Sequence, residues 1–114
     1  SIMERFRTAM DKHYDALSAA RSERSVQTYS KRIEKLASGD SRDLRREQSN
    51  LRDKIGRLQQ RITSTEENME RFTGKGAGSI REQAQKTIRG YQREIDEIKA
   101  KLKLLREAAA SDKG

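Results

Sequence analysis

The sequence predicts an all-α fold: an antiparallel coiled-coil hairpin of two long helices, with two shorter N-terminal helices forming a small bundle at its base. Three observations lead there. The 114 residues contain no proline and only seven glycines, so almost nothing interrupts helix. With 39% charged, 32% hydrophobic and 4% aromatic side chains, the chain is too polar for a thick globular core but suits an elongated bundle. Its apolar residues also recur in alternating steps of four and three, the mark of helix packed on helix.

The hairpin, residues 40–110, carries the clearest pattern. From Leu44 the seam positions are Leu44, Gln48, Leu51, Ile55, Leu58, Ile62, Thr65, Met69 and Phe72. After a glycine-rich stretch it resumes at Ala84, Ile88, Tyr91, Ile95, Ile98, Leu102, Leu105 and Ala109. Two such arms joined by a short connection should fold back on each other. Placing Met69 across from Ala84 puts Ile62 near Tyr91, Leu58 near Ile95, Ile55 near Ile98, Leu51 near Leu102 and Leu44 near Ala109. Each pair of numbers then adds to roughly 153, as two antiparallel 3.5-residue repeats require.

The segment "FTGKGAGS" supplies a turn over 73–79. Gly74, Gly76 and Gly78 are expected to provide positive backbone dihedrals, and "SIRE", Ser79–Glu82, reads as a capping box opening the second arm. A phosphate-gripping loop would follow a buried strand and end in a lysine followed by Ser or Thr; here a helix precedes, and Lys75 is followed by Gly76. The turn is the better reading, with an anion contact at Lys75 as its alternative. Residues 111–114 read as a disordered tail.

Residues 1–38 read as two shorter helices that end a helical repeat and pack at the hairpin base. The second, about Glu23 to Ser38, carries Val26, Tyr29, Ile33 and Leu36, with Gly39 as its C-cap and Asp40 or Ser41 as the N-cap of the next arm. The first gathers Ile2, Met3, Phe6, Ala9, Met10, His13, Tyr14 and Leu17 on one broad face. That stripe is wider than a two-helix seam needs, so Ile2, Phe6, Met10, His13, Tyr14 and Leu17 form a candidate dimer or repeat-packing face.

The absence of cysteine excludes disulfides, thiolate metal sites and thiol nucleophiles, and fits a reducing compartment. No apolar run approaches the roughly 20 residues needed to span a bilayer. "SIMERFRTAM" carries charges where a signal peptide needs an apolar stretch, so a cytoplasmic location, no membrane partner and a fragment of something longer are expected. His13, the single histidine, is expected to be packed or partly buried, with no second His or Cys to complete a transition-metal site. The carboxylates Glu66, Glu67 and Glu70, and Glu94, Asp96 and Glu97, flank the seam and read as solvated charge. Tyr29, Tyr91 and Phe72 fall on seam positions and read as core rather than base-stacking platforms. No nucleophile, base and metal set emerges, so catalytic residues, metals, cofactors and a small-molecule substrate are not expected.

The net charge of +8 has a pattern. Arg42, Arg45, Arg46, Arg52, Lys54, Arg57 and Arg61 crowd the start of one arm, and Lys99, Lys101, Lys103 and Arg106 the end of the other. The register brings Arg52 near Lys99, Arg45 near Arg106 and Lys54 near Lys101, where coiled coils usually place opposite charges. Compensation is expected either from Glu23, Glu34, Asp11 or Asp15 on the N-terminal helices, or from an external polyanion. The second option makes these cations candidate contacts to RNA or DNA phosphate, with no means of reading bases.

"MERFRTAMDKHYDAL" resembles the last helix of the repeat in a bacterial helical family catalogued as a domain of unknown function, family three-four-nine. Repeats of that family carry an Arg-Phe-Arg, a small residue, an Asp and an aromatic pair; here His13 and Tyr14 stand in place of the pair. The following "SGDSRDLRREQSNLRDKI", "FTGKGAGS" and "IDEIKAKLKLL" look like the coiled-coil extension ending long multi-repeat members. The resemblance implies an all-helical C-terminal piece of a larger protein and no particular activity. The function expected is a non-enzymatic interaction or spacer module, with a protein partner or self-association. The alternative is a basic, sequence-nonspecific nucleic-acid-binding module.

Overall fold

The structure, a computed structural model, describes residues 1–112. These form three helices, α1 (Ile2–Ala37), α2 (Ser41–Arg71) and α3 (Ala77–Asp112). They pack as an elongated bundle measuring 59 × 30 × 16 Å. The tail expected over 111–114 is helical through Asp112, and residues 113 and 114 lie outside the described residues.

The two shorter N-terminal helices are one. α1 is continuous for 36 residues and runs along α3 in the same direction, with Asp11 beside Lys86, Asp15 beside Arg93 and Tyr29 beneath Lys101. It therefore extends along the bundle instead of gathering at one end. The expected break lay in "ALSAARSERSV", where apolar periodicity fades. Serine is only a moderate helix former, but without Gly or Pro, and with Ala16, Ala19 and Ala20 among them, nothing in that stretch stops a helix.

The inner side of α1 explains the lost signal. Asp11, Asp15, Ser18, Ser22, Ser25, Tyr29, Ile33 and Leu36 are all half-buried or buried and follow seam spacing throughout. The first half of that seam is polar and the second apolar. A hydrophobic pattern reports only the second.

α2 is capped by Asp40, whose carboxylate accepts a hydrogen bond from the Arg42 N–H at 3.0 Å, as one of the two expected alternatives. The C-cap of α1 is Ser38 rather than Gly39. Chain reversal between α2 and α3 occupies 72–76, with Gly74 at φ +92° and Gly76 at φ +85°. Gly78 lies inside α3 without positive φ, and Ser79 sits in the first helical turn, so "SIRE" does not open this helix. The Gly76 dihedral and the Ala77 N–H to Gly74 carbonyl bond at 3.2 Å turn the chain into helix three residues earlier.

Packing centres on Leu44, Leu51 and Leu58 of α2 with Ile95, Ile98, Leu102 and Leu105 of α3, closed by Tyr29 and Ile33 of α1. Ile55, Ile62 and Tyr91 are half-buried around it. Gly56 and Gly90 sit in helices, and a Cβ at either would meet nothing within 4 Å. Gly56→Ala and Gly90→Ala are each expected to raise unfolding stability by about 0.5–1 kcal/mol, because glycine leaves more backbone entropy to be lost on folding. Gly74→Ala is expected to cost about 1 kcal/mol through its positive φ. Urea unfolding of the three variants measures both signs, and a Gly74→Ala variant as stable as the parent would refute the strained turn.

Candidate interaction surface

Two surfaces carry the sequence candidates. The first is the cationic end of α2 and α3. Arg42, Arg45, Arg46, Arg52, Lys54, Arg57, Lys99, Lys103 and Arg106 are exposed, while Lys101 is half-buried. Lys54, Arg57 and Arg61 border a groove of about 400 Å³ together with Lys101. The same groove holds Glu94 and Glu97, so it is mixed in charge rather than purely cationic.

The ion pairs at this end use Asp40, Glu47 and Glu97, none of them among the expected compensators, and Glu47 pairs with Arg32 of α1. Glu47 accepts a hydrogen bond from the Tyr29 hydroxyl at 2.6 Å, and its two oxygens accept from Arg32 Nε at 3.3 Å and Nη2 at 3.1 Å. The Arg32 bonds hold its carboxyl below the usual carboxylate range against an opposing desolvation, with the Tyr29 bond and the charges of Arg32 and Lys54 acting in the same lowering direction. Burial, then the bond to Glu47, pushes the Tyr29 phenol above its ordinary value. Lys101 lies 5.2 Å above the centre of the Tyr29 ring and pairs with Glu97 at 3.6 Å. Tyr29 thus joins all three helices. Arg42 pairs with Asp40 at 3.8 Å, in an exposed contact of little energetic weight.

Of the expected compensators, Asp11 and Asp15 serve a different region. Asp11 pairs with Lys86 at 3.1 Å and Asp15 with Arg93 at 2.7 Å, near the start of α3. Glu23 and Glu34 are exposed. The buried Arg93 Nε has no hydrogen-bond partner, and a solvent groove of about 540 Å³ separates Tyr14, Ser18 and Ser22 from Gln83, Thr87 and Gly90. The first half of α1 is therefore joined to α3 through polar contacts around a groove.

The second surface is the outer face of that half-helix. Ile2 is 85% exposed, Phe6 65%, Met10 51% and Leu17 47%, with Met3 and Tyr14 similarly open. His13 is exposed rather than packed. Lys86 Nζ lies 5.7 Å from the centre of the Tyr14 ring. Phe72, expected in the seam, instead caps α2 and is exposed; Tyr29 is buried and Tyr91 half-buried.

Glu66, Glu67, Glu70, Glu94 and Asp96 are exposed, and Glu97 is occupied by Lys101. Among the described residues, no three His, Asp or Glu side chains are grouped to hold a metal ion. No helix among them is long and apolar enough to cross a membrane. Lys75 is exposed in the turn. Comparison with protein-family models, curated proteins and solved structures finds no match.

Proposed function

We propose that this chain is a non-enzymatic helical interaction module: α2 and α3 form an antiparallel coiled-coil hairpin that serves as a scaffold, and the first half of α1 presents the docking face. The carrying observation is the run from Ile2 to Leu17, six large apolar side chains left open on one helix whose opposite side is engaged with α3. A monomeric domain rarely leaves so continuous a stripe uncovered without an interaction to make. The sequence resemblance adds the context of a larger bacterial protein, in which the module would act as an interaction or spacer element.

A photo-crosslinking amino acid at Met10, with the same group at Asn68 as a control, tests this reading in cells producing the protein. Discrete protein adducts from position 10 and none from position 68 are expected; equal or absent labelling at both would sink it.

The exposed cations of α2 and α3 support a second reading, a backbone-driven nucleic-acid contact. Anisotropy titration of single-stranded RNA and duplex DNA at about 50 and 200 mM salt separates the two. Under the leading reading, changing Arg45, Arg52, Lys99 and Arg106 to Gln alters no binding and raises the melting temperature by relieving like-charge repulsion. Tight, steeply salt-dependent binding lost in that variant would favour nucleic acid.

A further inference from the structure

The two halves of α1 are held by different forces. No side chain from Ile2 to Thr28 is buried, whereas Tyr29 and Ile33 both belong to the core. Among the described residues, α1 bonds to α2 only through Tyr29 and Arg32, each to Glu47, and the bonds of its first half to other helices all go to α3. Those bonds are two ion pairs, Asp11 with Lys86 at 3.1 Å and Asp15 with Arg93 at 2.7 Å, whose side chains are 25–45% exposed. The Lys86 ammonium adds its position near the Tyr14 ring. Ion pairs this open are weak and are screened by salt. Between them the helices are separated by the groove at Ser18, Ser22, Thr87 and Gly90, where a seam of packed apolar side chains would otherwise lie.

Closure also has a cost. Arg93 Nε is buried beneath this contact without a hydrogen-bond partner. A donor withheld from water and given no acceptor is destabilising, and lifting the helix that Arg93 grips returns it to solvent. The latch is built to release in one motion: Asp11 and Asp15 are one turn apart on α1, and Lys86 and Arg93 two turns apart on α3, so each pair shares a face.

We infer that residues 2–25 of α1 form an ion-latched arm that opens from α3 as a unit while residues 29–37 stay docked, with ionic strength setting the open population. Most helical stability in proteins comes from packing, so an arm that lifts also loosens its backbone hydrogen bonds. The apolar stripe from Ile2 to Leu17 rides on this arm. The latch therefore decides whether that stripe is presented on a fixed helix or on a loose one.

Amide hydrogen exchange of the whole chain at neutral pH, in about 50 and 500 mM sodium chloride, reads both halves of α1 in one experiment. At low salt the amides of 6–22 are expected to exchange at least about tenfold faster than those of 29–37. High salt should accelerate 6–22 by roughly threefold or more and leave 29–37 within about twofold. Asp11→Asn with Asp15→Asn keeps the side-chain volume and removes the charges. That variant should exchange over 6–22 at low salt about as fast as wild type does at high salt, and should lose the salt response. Equal protection of the two halves overturns the proposal, as does a salt response of the same size in both, since α1 would then open only with the whole bundle. Protection that declines smoothly from Ser25 toward Ile2 is fraying from the helix end and overturns the arm as a unit. A double variant indistinguishable from wild type removes the ion pairs as the latch.

Discussion

Leu105→Ala is expected to lower the unfolding free energy by about 2–5 kcal/mol, the largest single-residue effect in this molecule. Leu105 is 0% exposed on α3, in the cluster joining Leu44 and Leu51 of α2 to Tyr29 and Ile33 of α1. Truncation removes buried apolar surface and leaves a cavity that helices from three sides must partly collapse to fill. Folded domains are stable by about 5–15 kcal/mol, so the variant is expected to unfold at much lower urea. Leu17→Ala is the matched control: the same chemistry at a site 47% exposed, and an expected change within about 0.5 kcal/mol. Comparable losses at Leu105 and Leu17 would contradict this placement of the core.

Those two leucines show what the sequence could tell and what it could not. Both lie in regular apolar stripes, and periodicity alone assigns both to helix faces. It identified Leu44, Leu51, Leu58, Ile95, Ile98, Leu102 and Leu105, all buried, because α2 and α3 bury apolar side chains along their shared seam. It did not reveal that Leu17 remains outside. An apolar stripe says that a face favours burial, whereas exposure also depends on what the chain brings to it.

The opposite failure occurred on the inner side of α1. Asp11, Asp15, Ser18 and Ser22 occupy seam positions with no apolar signal, so hydropathy alone suggests a break where the helix is continuous. A seam satisfied by ion pairs is invisible to hydropathy. A test of helical spacing applied to small and acidic residues would have found it, since Asp11, Asp15, Ser18, Ser22 and Ser25 continue into Tyr29 without a change of phase.

The cationic end was legible as a problem but not as a solution. The crowding of cations is plain in the sequence, and so is "RREQSNLR", where Glu47 is the only acid between Asp43 and Asp53, but Glu47 bonds to Tyr29 and Arg32 of α1. Its partner residues Tyr29 and Arg32 are three apart on α1 and therefore share a face. That pairing needs the relative placement of α1 and α2, and neither repeat specifies it.

Glu47→Ala is accordingly expected to cost about 1–3 kcal/mol, more than loss of an ordinary surface ion pair. The Glu47 side chain is only 15% exposed, and its removal strips the Tyr29 hydroxyl of its acceptor and Arg32 of a two-point contact. Arg32 is largely exposed and can be rehydrated, so most of the expected cost arises at the partly buried Tyr29 hydroxyl. Glu47→Gln should recover part of the loss, because its amide oxygen can accept from Tyr29. Tyr29→Phe should cost less, since no buried hydroxyl remains, although the carboxylate loses one donor. The sign of the pH dependence follows from the depressed carboxyl: its contribution is complete above the unfolded-state pKa and disappears as pH falls through the lower folded-state value. Urea midpoints of wild type and Glu47→Gln, measured from neutral pH down to about pH 3, should therefore converge at the acid end. A gap of constant size across that range would mean that the carboxylate charge contributes nothing and the three-helix junction is held by packing at Tyr29 alone.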